Sequence, residues 1–351
     1  MATDVSQLGY TTLPDVINNY STSDARAVFV MAARVLDRQC PLIRYLPMEP
    51  SNQILSNIAI RTDSLPIPGT RRFNTGVQPT AAKNTQISDP MALFEAYSEV
   101  DKELYRIQNN PDMWRMDQDL NHVEGFKQLL ESILFYGNMA QDPGTFNGLA
   151  TRFNNLESYP NGDQSWLPNV WNGGQTTGSC TSAYFLELGK MKVYGIYPPN
   201  TPGGLNIENL GEMTKELAAG TGGGPSLNYL MQVLRTHMTW RIGIQINDER
   251  CVQRIANINP TGFSGPNGFN EDIFIEAKNQ LPGSGEAPGT VLLMNRQLKT
   301  QVDIRAVSQK LNAYTFFSAN EVDVFGRSVT KFQNIPILMT EKILNTETVV
   351  S

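Results

Sequence analysis

The sequence is short of the residues that carry most enzyme chemistry. Histidine occurs twice in 351 residues, as His122 and His237. A histidine-rich metal cluster is therefore excluded, and any serine–histidine–aspartate triad would have to use one of these two. Charged residues make up only 18% of the chain, below the roughly one quarter usual for soluble domains. Cys40, Cys180 and Cys251 are few and far apart. An odd count at such spacing is no disulfide framework, and the three read as reduced, buried small hydrophobes of a cytosolic product. No apolar run approaches the roughly 18 residues of a membrane span, and the opening Met1–Val16 stretch has neither the basic nor the apolar region of a secretory signal. Repeats of solenoid or propeller period are also missing. The expectation is a soluble chain synthesised in the cytoplasm. Its net charge of −6 argues against a protein whose main task is to grip nucleic acid through phosphates.

Motifs that might restore a catalytic reading are incomplete. His122-x-Glu124 begins the zinc deaminase signature, but no Pro-Cys-x-x-Cys follows it. Residues Gly220 to Ser226 have the glycine content of a phosphate loop, yet Pro225 stands where the lysine should be and offers no N–H to a phosphate. Around Ser179 and Cys180 a nucleophile elbow would need a second glycine where Ser182 stands. The carboxylate pairs Asp117/Asp119 and Asp248/Glu249 adjoin Arg115 and Arg250, the pattern of salt-bridged or solvated faces. No ligand spacing for zinc or calcium occurs. Neither a cofactor nor a catalytic residue is expected.

What the sequence does have is glycine (28), proline (21) and 40% hydrophobic residues, enough length for a full core and about two domains. Residues 1–22 lack a pattern and read as an arm; helical spacing follows from Ser23 to Arg38. Ile58, Ile60 and Thr62 alternate with Ala59, Arg61 and Asp63, which predicts a strand. Pro66-Ile67-Pro68-Gly69 is a turn signal, and Thr70 to Val77 reads as the returning strand. Such a hairpin, with few large apolar residues, does not hold itself together in water. It needs a cover, and Arg71 and Arg72 near its tip, with Phe73 and Lys83, are the candidate contact residues for an acidic neighbouring subunit.

Ser88-Asp89-Pro90 followed by Phe94, Tyr97, Val100, Leu104 and Ile107 predicts a helix. A longer one is predicted from Arg115 to Tyr136, with Met116, Leu120, Val123, Phe126, Leu130, Ile133 and Leu134 as its apolar stripe and Gly137-Asn138 as its stop. Further on, the spacing predicts strands over Ser182–Leu188, Lys192–Tyr197 and Met238–Asn247, and extended or helical chain over Glu249–Ile258. Helices are predicted over Glu208–Leu217, Asp272–Asn279 and Lys299–Leu311. Strands are predicted over Val291–Met294, Val322–Phe325, Ser328–Phe332 and Ile335–Met339. The fold class is mixed α+β.

This order of elements resembles the major capsid proteins of tailed bacteriophages with the Hong Kong 97-type fold, in the subfamily common among short-tailed phages. Specific stretches carry the resemblance: Tyr136-Gly137-Asn138 with Asp142-Pro143, Phe146, Gly148-Leu149 and Arg152; Thr181 to Tyr184; Val193 to Pro198; Trp240-Arg241-x-Gly243 through Arg250, Val252 and Arg254 to Ile258; and Asn334-Ile335-Pro336-Ile337 with Thr340. They span roughly residues 90 to 350. Asn334 departs from the pattern, which has glycine before Ile-Pro.

The resemblance implies an N-terminal arm and first helix (1–50) and an extended loop (51–88). It implies a peripheral domain with a long spine helix (89–140 and 236–260) and an axial domain (141–235 and 261–351). It implies a subunit of pentamers and hexamers in an icosahedral head around double-stranded DNA, partnered by itself, by scaffolding and portal proteins and by a decoration protein. The DNA would be enclosed without sequence-specific contact, and no membrane is involved. Two alternatives stay open on sequence: a cellular nanocompartment shell of the same fold, and a loop-rich soluble enzyme using His122 or His237.

Overall fold

The computed structural model describes residues 40–108, 110–160, 167–176, 178–201, 203–217, 229–262, 267–308 and 331–351. The expected arm and first helix, the Gly220–Ser226 loop and the predicted strand at Val322–Phe325 lie outside the described residues. In chain order the elements begin with α1 (Leu42–Tyr45), β1 (Met48–Pro50), β2 (Ser56–Ser64), β3 (Lys83–Pro90), β4 (Ala92–Asp101), α2 (Lys102–Arg106) and α3 (Pro111–Tyr136). Next come α4 (Leu149–Arg152), β5 (Val170–Asn172), β6 (Thr181–Glu187), β7 (Val193–Tyr197), β8 (Asn206–Leu217) and β9 (Tyr229–Ile246). The chain continues through β10 (Val252–Ile258), α5 (Glu271–Gln280), β11 (Thr290–Met294), α6 (Arg296–Ser308), β12 (Lys331–Phe332) and β13 (Ile335–Met339).

Two compact units form. The first holds Leu93–Lys127 and Gly204–Arg241; the second holds the described parts of Arg38–Ala92, Gln128–Gly203 and Ile242–Ser351. The chain passes from one to the other at Ala92/Leu93, within α3, at Gly203/Gly204 and within β9.

The second unit is built around a six-stranded sheet in the order β12–β13–β11–β6–β10–β5. Its central strands β6, β10 and β11 are buried along their whole length, so the polar residues they carry, Ser182, Gln253 and Arg254 among them, are buried too. One face carries an aromatic cluster of Phe185, Phe269, Phe274 and Phe332, with ring centroids 4.7 to 6.4 Å apart. Helix α5 covers that face with Phe274, Ala277 and Leu281 beneath it, and the Asn270 side chain caps it by accepting from the Asp272 N–H.

Asn334 has a φ of +71° and its neighbour Gln333 one of +44°, in the two-residue turn between β12 and β13. The family pattern's glycine serves this left-handed conformation, and asparagine is the side chain that tolerates it best. Gly137 and Gly148 explain another stretch of the resemblance. Gly148 donates its N–H to the Gly137 carbonyl (2.8 Å), and a Cβ on Gly148 would lie 2.6 Å from the Ile133 and Phe135 carbonyl oxygens. The end of α3 and the start of α4 thus cross at backbone contact. Gly243 is similar: a Cβ there would lie 2.6 Å from the Pro90 carbonyl oxygen.

In the first unit, β8 and β4 pair with β9. The helix expected from Ser88 to Ile107 is instead β4 followed by the short α2. Ala92, Phe94, Ser98 and Val100 are buried while Leu93, Glu95 and Tyr97 are exposed. Phe94 and Val100, six apart, fit both a period of two and the three-and-four spacing; Ser98, not Tyr97, turns inward, and this decides for the strand. The helix expected at Glu208–Leu217 is also a strand, β8, paired antiparallel to β9 from Asn206↔Thr239 to Leu217↔Tyr229. It is exposed at nearly every position, so no buried alternation marks it in sequence.

Helix α3 matches its expectation and starts four residues earlier, at Pro111. Its buried stripe differs in the first turns: Trp114 and Asp117 are buried, and Met116 is 62% exposed.

Candidate subunit-contact site

The hairpin is present, with its return strand relocated. Strand β2 pairs antiparallel with β3, from Ser56↔Pro90 to Ser64↔Lys83. Thr70–Val77, expected as the return strand, belongs to an open connection running from Leu65 to Ala82. The double proline at Pro66 and Pro68 explains this, since proline cannot supply the ladder N–H that a central pairing needs.

The base of the hairpin is anchored in the second unit. The Asn57 amide donates to Gln245 Oε1 (3.2 Å) and to the Tyr194 hydroxyl (3.4 Å). Asn52 braces the first strand by accepting from the Ile58 N–H (2.9 Å) and donating to the Ile58 carbonyl (2.6 Å). Arg61 lies 3.5 Å from Glu249. Asp89, 5% exposed, is paired with Arg152 at 2.8 Å, and Arg152 also donates to the Ile244 and Asn147 carbonyls.

Burial pushes the Asp89 carboxyl above its ordinary range, and the Arg152 guanidinium works against that rise. An acid whose folded-state pKa is raised favours folding most below its unfolded pKa, and loses that contribution as pH rises through the folded one. Arg152→Met removes the opposing charge. We expect the melting temperature of this variant to fall, relative to the parent, more steeply as pH rises above the ordinary carboxylate range of about pH 4. A parallel pH profile in the two proteins would refute the pairing.

The tip is the opposite of the base. Phe73 is 98% exposed, and Leu65 and Ile67 are 78% and 79% exposed. A turn at Arg72–Thr75 closes it: Thr75 donates its N–H to the Arg72 carbonyl (3.2 Å) and its hydroxyl to the same oxygen (2.7 Å), with Asn74 at φ +64°. Arg71 donates to the Thr75 carbonyl at 3.4 Å. Arg71, Arg72 and Lys83 form no ion pair among the described residues. Lys83 begins β3, opposite Ser64. The four sequence-derived residues therefore all lie on the exposed outer part of the hairpin, while Asn57, Asp89 and Arg152, which hold it, were not singled out by sequence.

Other polar clusters are internal. Arg254, 3% exposed, donates to Glu347 (2.9 Å), Ser182 (3.1 Å) and the Phe153 carbonyl (2.6 Å). Tyr136 and Ser182 donate to the same Glu347 carboxylate. Burial pushes the Tyr136 phenol up, which keeps it a donor. This cluster pins the 345–351 segment to the sheet; Val350 and Asn257 exchange a further pair of hydrogen bonds (2.8 and 2.9 Å).

Of the two histidines, His122 is exposed on α3, and His237 contacts Glu95 at 2.5 Å and stacks on Tyr97 at 4.6 Å. Cys180 and Cys251 are buried, and burial raises both thiols. Among the described residues no group of three metal-ligating side chains converges, and no helix is long and apolar enough to cross a membrane.

The hairpin thus has an anchored base and an exposed apolar and basic tip, and α3 runs for 26 residues. The family model for the major capsid protein GP7 matches residues 24–351. The chain belongs to that family. It is a major capsid protein of a phage head, with the Hong Kong 97-type fold. A search of curated protein sequences finds no match.

Among solved structures, a chain of the bacteriophage Epsilon15 cryo-EM structure is similar to this capsid protein, with a TM-score of 0.65 at 19% identity over 97% of each chain. The bacteriophage JBD30 capsid gives 0.44 at 13% identity, over 94% of this chain and 99% of that one. The SrpI encapsulin of Synechococcus elongatus gives 0.42 at 11%, over 70% and 95%. At 19% identity the likeness to the Epsilon15 chain concerns the fold.

Proposed function

We propose that this capsid protein assembles with copies of itself into pentamers and hexamers of an icosahedral head around double-stranded DNA, and that the hairpin tip is where neighbouring subunits hold one another. The observation that carries the second half is the tip itself: Phe73, Leu65 and Ile67 project from a two-stranded ribbon, and none of them is covered by the described residues. Arg71, Arg72 and Lys83 supply a positive charge that selects an acidic neighbour. Each contact is modest. Closure of a shell raises the effective concentration for every further contact, so many modest contacts suffice.

The residue ranges given by the resemblance are part of the same proposal: 51–88 as the extended loop, 89–140 with 236–260 as peripheral domain, 141–235 with 261–351 as axial domain, 1–50 as arm and first helix. The compact units divide the chain at other positions, since compactness follows local packing and not position in a shell. Portal, scaffolding and decoration proteins are proposed as partners. The chain is proposed to be made in the host cytoplasm and to have no catalytic role. With a net charge of −6, it encloses DNA without gripping it.

Electron microscopy of the purified protein tests the assembly. Closed shells are expected, and a protein that forms only a small discrete oligomer under all assembly conditions would overturn the reading. Arg71→Glu with Arg72→Glu and Phe73→Ala tests the tip. These side chains are exposed, so the subunit's melting temperature should stay within about 1 °C, while shell yield falls by roughly tenfold or more.

A further inference from the structure

The root of the hairpin is held at three places, and their spacing has a use. Asn57 of β2 and Asp89 of β3 are Cα partners in the ladder, so their side chains leave the same face of the ribbon, about 5 Å apart. Both are buried, and each ties its own strand to β9. Asn57 donates to Gln245 Oε1 (3.2 Å), and Asp89 accepts from the Ile246 N–H (3.5 Å). Each is also held from behind. Asn57 Oδ1 accepts from the Asn52 N–H (3.1 Å). Asp89 is paired with Arg152, which is itself fixed to the Ile244 and Asn147 carbonyls. The third place is the Arg61–Glu249 pair. Arg61 lies four residues further out on β2, on the face of Asn57 and about 13 Å away. Beyond it, Thr62 bonds within the ribbon, to Asn84 (2.8 Å), and a bulge follows between Thr62 and Ser64.

Three supports that are not in line fix a direction. Asn57 and Asp89 alone resist twisting of the ribbon about its long axis and let it rock about the line that joins them. Arg61, further out, opposes the rocking. Hydrogen bonds suit this use because they weaken steeply when bent, whereas apolar contacts slide. The lever is long: the seven residues from Asn57 to Ser64 reach about 23 Å at roughly 3.3 Å each. A swing of roughly 10° at the root therefore moves the outer end by about 4 Å, more than a hydrogen bond spans. A contact handed from each copy to the next closes a ring only at the right rotation, and the rotations for five and six copies differ by about 12°. We infer that Asn57, Asp89 and Arg61 are positioning residues: by setting the direction in which the hairpin leaves the subunit, they set the angle between neighbouring copies and so the curvature of the shell. This inference rests on the hairpin being a subunit contact. Adjustment between five-fold and six-fold surroundings then falls to the parts beyond the root, the Thr62–Ser64 bulge and the open connection from Leu65 to Ala82.

Two readouts on the full-length protein test it, one on the unassembled subunit and one on shells. Spin labels at Ala82→Cys, on the outer end of the ribbon, and at Glu157→Cys, exposed on the same unit, report the hairpin's direction as a distance distribution. The background is Cys40→Ser, since Cys180 and Cys251 are buried. Asn57→Leu with Arg61→Ala should widen the spread of distances at least about twofold, and Arg61→Ala alone should widen it less. In electron microscopy the parent should give shells of one diameter. The root variants should give mixed diameters and open sheets, with particles of the parent diameter reduced roughly tenfold. The tip variant Arg71→Glu with Arg72→Glu and Phe73→Ala should instead keep the parent spread and give fewer shells of the parent diameter. An unchanged spread in the double root variant overturns the inference, and so does a widened spread with shells of the parent diameter alone. Both results leave the contact reading standing. That reading falls, and this inference with it, if the tip variant assembles normally. Melting of the unassembled subunit identifies a misfolded variant; Arg61→Ala, whose side chain is partly exposed, then carries the test alone.

Discussion

Arg254→Ala is expected to destabilise the second unit by about 3–5 kcal/mol, because it leaves a buried carboxylate without its cation. Glu347 is 8% exposed and already takes hydrogen bonds from Tyr136 and Ser182. Both donors are neutral, so neither balances its charge. The lost guanidinium also abandons the Phe153 and Ala150 carbonyls and vacates the face of the Tyr184 ring, 5.7 Å away. A loss of this size is a large share of the roughly 5–15 kcal/mol that holds a domain folded. Thermal melting of the unassembled subunit measures it. Arg254→Met combined with Glu347→Leu should cost less than Arg254→Ala alone, since two apolar side chains leave no buried charge behind. A shift below about 1 kcal/mol for Arg254→Ala would show that Glu347 reaches water, and would sink the argument.

Phe274→Ala is expected to cost about 3–5 kcal/mol as well, by a different route. The ring is 1% exposed and sits among Phe185, Phe269 and Phe332 at centroid distances of 5.9, 4.7 and 6.1 Å. The edge-to-face pairs add to the area term, by about 0.5–1.5 kcal/mol each. Truncation empties the centre of the cluster, and rigid strands β6 and β10 on the sheet side limit how far the site can collapse. Phe274→Leu keeps most of the volume and should lose less than half as much. Denaturant titration distinguishes the two: the midpoint should move and the slope should not.

Helix α3 and strands β6, β7, β11 and β13 were legible in the sequence because burial imposes a pattern on them: one stripe along a helix, or an unbroken apolar run in a covered sheet. β4 misled because Phe94 and Val100 satisfy two periods at once, and the deciding inward residue is a serine. β8 misled because nothing buries it, so Leu210, Met213 and Leu217 fall on helical spacing by accident. The hairpin was legible as a ribbon that cannot support itself, and its tip residues follow from charge and exposure. Its anchor was not: Asn57, Asp89 and Arg152 are polar residues distant in sequence, brought together only by the fold. The incomplete catalytic motifs carried their message in sequence alone, since a missing lysine or a missing glycine is visible without coordinates.

The order of strands in the large sheet has a consequence for how the subunit is made. β6 is central, yet its partners arrive late: Leu186 pairs with Val252, 66 residues further along, and Phe185 with Leu292, 107 residues further along. Contacts so distant in sequence slow folding, because the intervening chain must be ordered before they form. Until then Tyr184-Phe185-Leu186 is an open, apolar strand with nothing beside it, the kind of segment that joins the wrong molecule in crowded surroundings. Yield on expression should therefore be set by the rate of folding and not by final stability, and slower synthesis at lower temperature or added chaperone should raise it.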